Sequence, residues 1–211
     1  MKKAAVGFRV HSGWCVVVTV CLDGAGPAVL QRERMELVEK FTYRFRQPYH
    51  TAEKMAIAEA CEFIEKSRTT ARNRGYQAIC ELQVQLEERG FALRTAVILR
   101  AAGRPLPELE RILASHALIH TADGELFREA LTRASMRCGL EVVGVKEKEL
   151  IREAAQSFKI GEEALLKRVT ELGRPLGAPW SQDEKYAALG AWLALADGNL
   201  RVASSARPQR A

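Results

Sequence analysis

The chain has 211 residues, of which 47% are hydrophobic and 27% charged, and its net charge is +6. That size and mixture suit one soluble domain with a full core and exclude a disordered or low-complexity chain. The mild basic excess favours contact with phosphates but does not require it.

The five cysteines, Cys15, Cys21, Cys61, Cys80 and Cys138, are odd in number and form no CxxC pair. They are expected as buried free thiols in a reducing compartment. Arg9, His11 and Ser12 interrupt the apolar opening, and WCVVVTVC is too short to span a bilayer, so the protein reads as cytoplasmic.

In chain order, Ala4–Val10 and Trp14–Leu22 are apolar, β-branched runs around the turn HSG, which predicts a hairpin. DGAGP makes a second turn, and Ala28–Leu37 a third strand. In FTYRFR, Phe41, Tyr43 and Phe45 alternate with Thr42, Arg44 and Arg46, a period of two that reads as an edge strand ended by Pro48. From Thr51 the period becomes helical, with Ile57, Cys61 and Ile64 on one stripe. Asn73-Arg74-Gly75 is expected to break that helix, with a second piece over Tyr76–Arg89 closed by Gly90. TAVIL (Thr95–Leu99) is a buried strand, Glu108–Ser115 a short helix and Thr121–Cys138 an amphipathic helix. Leu140–Val145 is a fifth main strand, and helices follow around Leu150–Phe158, Leu165–Leu172 and from Ser181 onward. The basic tail over 200–211 has no periodicity and is expected to be disordered.

The fold class expected from this order is α/β: β-β-β-α-β-α-β-α on a mixed five-stranded sheet with added helices. It is antiparallel at one edge and parallel where the helices cross over. One domain covers 1–199, with a helical insertion at about 51–89.

That order resembles the ribonuclease H-like superfamily, and looks most like its Holliday-junction resolvase branch. GFRVHSGWCVVV is similar to that branch's Gly-Ile-Asp-x-Gly-Ser opening, and QDEKYAALGAWLALA to its closing helix. The resemblance implies carboxylates from strand one, from the end of strand four and from the last helix, holding two divalent cations that activate water and stabilise a leaving oxygen. Carried over here, the strand-one position falls on Arg9 and the strand-four position near Arg100, leaving only the helix acids Asp183 and Glu184. Two arginines facing two acids suit an ion-pair network or an anion site, so the expected protein binds nucleic acid or another phosphate-bearing partner with a diverged catalytic centre.

Two stretches repeat the pattern His-Thr-Ala-acid, at His50–Glu53 and His120–Asp123. Thr51 and Thr121 read as helix N-caps with an acid in the first turn. His50 and His120 then precede the caps, either as packing residues or as ligands or general bases. Gly124 weakens that helix start and suggests a close approach by backbone or ligand, while Glu125 and Arg128 are spaced to pair. His11 and Ser12 read either as turn residues or as part of a phosphate or metal site at the strand-one edge. Convergence of His11, His50 and His120 with Asp123 would make a transition-metal site. On that reading His120, Asp123, Asp183 and Glu184 would serve a metal-dependent hydrolase. Arg44 and Arg46, interleaved with aromatics, suit stacking on bases and neutralising phosphates. A third reading is an interaction protein, alone or as a homodimer, using the 51–89 insertion. No Walker loop, GxSxG elbow, HExxH or zinc-ribbon spacing is present.

Overall fold

A computed structural model describes residues 1–24, 26–101 and 105–196; the expected basic tail lies outside them. Five strands form one sheet: β1 (Lys2–His11), β2 (Trp14–Asp23), β3 (Gly26–Glu36), β4 (Phe91–Arg100) and β5 (Glu141–Lys146). Their order is β3-β2-β1-β4-β5. The pairs β1–β2 and β2–β3 are antiparallel, whereas β1–β4 and β4–β5 are parallel. The mixed sheet follows from the sequence order, since hairpins join the first three strands and helical crossovers the last two.

The central strands are apolar on both faces because helices cover both. Val6, Phe8 and Ile98 enter one core, together with Ile79 and Leu86 of α3 (Ile57–Glu88) and Phe127 and Leu131 of α5 (His116–Arg137). Ala5, Val97, Leu99 and Val143 enter the other. There they meet Leu150 of α6 (Leu150–Phe158), Leu165 of α7 (Glu162–Leu172) and Leu189 of α8 (Gln182–Ala196). Three short helices complete the first layer: α1 (Tyr43–Arg46), α2 (Pro48–Ala52) and α4 (Leu109–Leu113). Among the described residues, no helix is long and apolar enough to cross a membrane.

Gly7 sets the distance between β1 and α8. A methyl group there would collide with the backbone carbonyl of Ala187, so the strand lets the helix lie directly on it.

Four local expectations are corrected. FTYRFR is not a strand, because the Thr42 carbonyl accepts the N–H groups of Phe45 and Arg46 (3.2 and 3.0 Å) and winds 43–46 into α1. Its alternation arises otherwise: Phe45 packs on the core, Phe41 receives arginines, and Tyr43 stays 62% exposed. Neither Thr51 nor Thr121 is an N-cap. Each lies inside a helix, Thr51 donating its hydroxyl to the Arg44 carbonyl and Thr121 to that of Ala117 (both 3.0 Å). The helix α5 therefore begins at His116, five residues before Thr121. Asn73-Arg74-Gly75 does not break α3, whose 32 residues run through it. Gly75 instead faces Ala134 and Leu131 of α5, where a Cβ would come within 3.2 Å of the Ala134 methyl. Finally, Cys15 and Cys21 are buried, but Cys61 is exposed, and Cys80 and Cys138 are half-buried with sulfurs 3.6 Å apart.

Candidate functional site

Strand alternation places Arg9 on the same face of β1 as Gly7, toward α8. Asp183 and Tyr186 stand in the first turns of that helix. One nitrogen of the Arg9 guanidinium pairs with Asp183. The other side of the fork takes Glu147, with Nη2 donating to Oε1 at 2.8 Å and Nε to Oε2 at 3.4 Å. The group lies 5.3 Å from the centre of the Tyr186 ring. Glu147 is delivered by the turn after β5, its N–H held by the Arg100 carbonyl at 2.9 Å. Arg9 therefore bridges two carboxylates from different elements, the turn after β5 and the start of α8, in a geometry where each charge is half-buried and paired.

Asp183 also holds His11, whose Nε2 lies 2.9 Å from its second oxygen. Burial first, and then the charge of Arg9, push the His11 imidazole below its ordinary value, with Glu147 acting in the opposite direction. A neutral ring with its proton on Nε2 donates to Asp183 in this geometry. The other face of His11 stacks on Trp14 (centroids 4.3 Å apart, planes at 14°). The stack continues outward: Arg34 lies 4.0 Å from the Trp14 ring and 4.7 Å from Phe41, and Arg46 covers Phe41 at 4.5 Å. Arg46 also donates to the Ser12 carbonyl at 3.4 Å, so Ser12 contributes backbone at this point. Arg44 turns elsewhere, over Phe63 at 4.9 Å.

Arg100 does not face these acids. Phe8 pairs with Ile98, so the β4 residue level with Arg9 on its face is Leu99, and Arg100 points to the opposite face. There it lies over Gly144 and lines an open cleft of about 430 Å³ with Tyr49, Arg68, Glu125 and Glu129. Glu184 is also occupied: its Oε2 accepts the N–H and hydroxyl of Ser181 at 2.7 and 2.6 Å, while Ser181 Oγ accepts the Asp183 N–H at 3.1 Å. This is a capping box at the start of α8. Burial opposes ionisation of Glu184, but the Ser181 hydrogen bonds outweigh it and hold the carboxyl below its ordinary range.

The other histidines meet apart from His11. His50, His116 and His120 present ring nitrogens that all lie within 4.8 Å of one another. Asp123, only 2% exposed, accepts His50 Nδ1 at 2.5 Å and the Tyr49 N–H at 2.8 Å. Burial raises the Asp123 carboxyl above its ordinary range, and these hydrogen bonds work against the rise. The expected set of His11, His50 and His120 thus loses His11 and gains His116. The motif HALIH (His116–His120) carried that signal, because residues four apart share a helix face. Gly124 is approached by the guanidinium of Arg128, itself paired with Glu125 at 2.8 Å.

At the sequence level, neither a protein-family model nor a curated protein matches the chain. Solved structures do match. The Thermus thermophilus RuvC structure in complex with Holliday junction substrate superposes with a TM-score of 0.52 at 9% identity, covering 92% of this chain and 93% of that one. The fold is ribonuclease H-like. Another Thermus thermophilus RuvC structure gives 0.48 at 12% identity, over 92% and 93% of the two chains. The yeast mitochondrial Holliday junction resolvase Ydc2 gives 0.47 at 10%, over 91% and 81%.

Arg9 is thus the cation shared by Asp183 and Glu147, and each oxygen of these two carboxylates accepts a hydrogen bond from Arg9 or lies against His11.

Proposed function

We propose that the protein binds nucleic acid at the strand-one edge of its ribonuclease H-like fold and has given up two-metal cleavage there. The observation that carries this reading is Arg9, a cation on strand one that pairs with both Asp183 and Glu147. The stack of His11, Trp14, Arg34, Phe41 and Arg46 supports it. Arginines placed over aromatic rings keep N–H groups for phosphates, and the exposed aromatic Tyr43 adds a surface on which a base can stack. The neighbour in complex with Holliday junction substrate makes branched DNA the first ligand to try.

The test is filter binding of single-stranded, duplex and four-way-junction DNA over a range of salt. Binding is expected to weaken steeply with salt, and Arg34→Ala and Arg46→Ala each to reduce the log–log slope by about 1. Absence of salt-sensitive binding to all three forms overturns the reading. With Mg²⁺ or Mn²⁺ added, the DNA is expected to remain intact. Cleavage lost on Asp183→Asn would restore a resolvase-type mechanism. Cleavage lost on His120→Ala, with the fold intact, would favour a hydrolase working from the histidine cluster.

A further inference from the structure

The cluster of His50, His116 and His120 is unused by the nucleic-acid reading and stands independently of it. Its side chains come from two helices. His116 and His120 lie one turn apart at the start of α5, both exposed, with their Nε2 atoms 3.1 Å apart. His50 comes from α2, and its side chain is 8% exposed. The three rings are edge-on to one another rather than stacked: His50 and His120 at 4.4 Å and 69°, His116 and His120 at 4.5 Å and 81°, His50 and His116 at 5.4 Å and 89°. The rings meet edge-on, and one ligand nitrogen from each lies within 4.8 Å of the other two. A tetrahedral ion with Zn–N bonds of 2.0–2.1 Å separates its ligand nitrogens by about 3.3 Å, close to the His116–His120 spacing.

Asp123 supplies the remaining element. It is a buried carboxylate whose two oxygens are committed, one to the Tyr49 N–H and one to His50 Nδ1. A proton on His50 Nδ1 leaves Nε2 unprotonated on the side of the ring away from Asp123, the arrangement by which carboxylates orient metal-binding histidines.

We infer that His50, His116 and His120 form a three-histidine site for a zinc-class transition-metal ion, with Asp123 as the positioning residue. Three neutral imidazoles select such an ion over Mg²⁺ or Ca²⁺, which require oxygen ligands. Three protein ligands on a partly exposed surface leave a fourth position open to water or an anionic oxygen.

The experiment is a Zn²⁺ titration of the chelator-stripped full-length protein against a chromophoric competitor, with Co²⁺ as a spectroscopic probe. The wild type is expected to bind one equivalent, to melt at a higher temperature with Zn²⁺, and to give the visible bands of tetrahedral Co²⁺. His116→Ala and His120→Ala truncate exposed side chains, so circular dichroism should show an intact fold while affinity drops at least about 100-fold. That floor follows because loss of a carboxylate that only orients a ligating histidine costs about 10–100-fold. Asp123→Asn, which loosens His50 alone, is expected to fall in that range while keeping the one-to-one stoichiometry. The inference is overturned if no saturable equivalent binds, if both histidine variants bind Zn²⁺ as tightly as wild type, or if Cys80→Ser or Cys138→Ser abolishes the binding instead.

Discussion

His11 shows how a single side chain takes its protonation state from its surroundings. Its ordinary value is 6.5, and burial together with Arg9 lowers it in the folded protein. Between the folded and unfolded values the unfolded chain binds more protons. Stability therefore falls as the pH drops through 6.5, and the loss is complete only below the folded value. An NMR titration of the imidazole should give a midpoint below 6.5, and Arg9→Ala should raise it by removing the nearest cation. An unchanged midpoint in the variant would reject the role given to Arg9. The identities of Arg9, His11 and Asp183, and their place at the strand-one edge, were legible in the sequence. Glu147 was not, because nothing in a linear chain shows that the turn after β5 folds back to the end of β1. Nor was the orientation of Arg100, since one residue of register decides which face of the sheet a side chain takes.

At the scale of elements, close approaches matter more than propensities. Gly7 lies against the Ala187 backbone, so Gly7→Ala forces β1 and α8 apart and should cost about 3 kcal/mol or more. Gly190→Ala meets only side-chain atoms, of Val97 at 3.2 Å and Leu99 at 3.5 Å, and should cost clearly less. Urea unfolding of the two variants separates them; equal losses would show that the strand–helix contact can relax. The apolar stripes of α5 to α7 and the apolar runs of β1, β2, β5 and α8 identified those elements, because a helix burying one face and an element buried on both sides each leave a distinct pattern. The failures were local and share a cause. Thr51, Thr121 and Gly75 have residue types that mark helix ends, yet each sits inside a helix that tertiary packing carries past it. The short alternation in FTYRFR likewise reflects partners scattered through space rather than a strand.

In the whole molecule, the sheet separates two cores. Ile119 belongs to one and Leu189 to the other, and both side chains are fully buried. Ile119→Val should cost about 0.5–1.5 kcal/mol and Leu189→Ala about 2–5 kcal/mol. With the sheet between them, the double variant should match the sum within about 0.5 kcal/mol in urea unfolding. A larger deviation would mean that the layers communicate through β1 and β4. The sequence by itself determined the order of elements, the mixed sheet by way of hairpins and crossovers, and the arginine on strand one, because periodicity and connection length are properties of the chain. Only the tertiary structure decided which charged groups meet. It bound Arg9 to Asp183 and Glu147, sent Arg100 to the other face, and joined His116 rather than His11 to His50 and His120. The physical reason is that a side chain's partners depend on register and helix docking, which the whole core sets and no short stretch can specify.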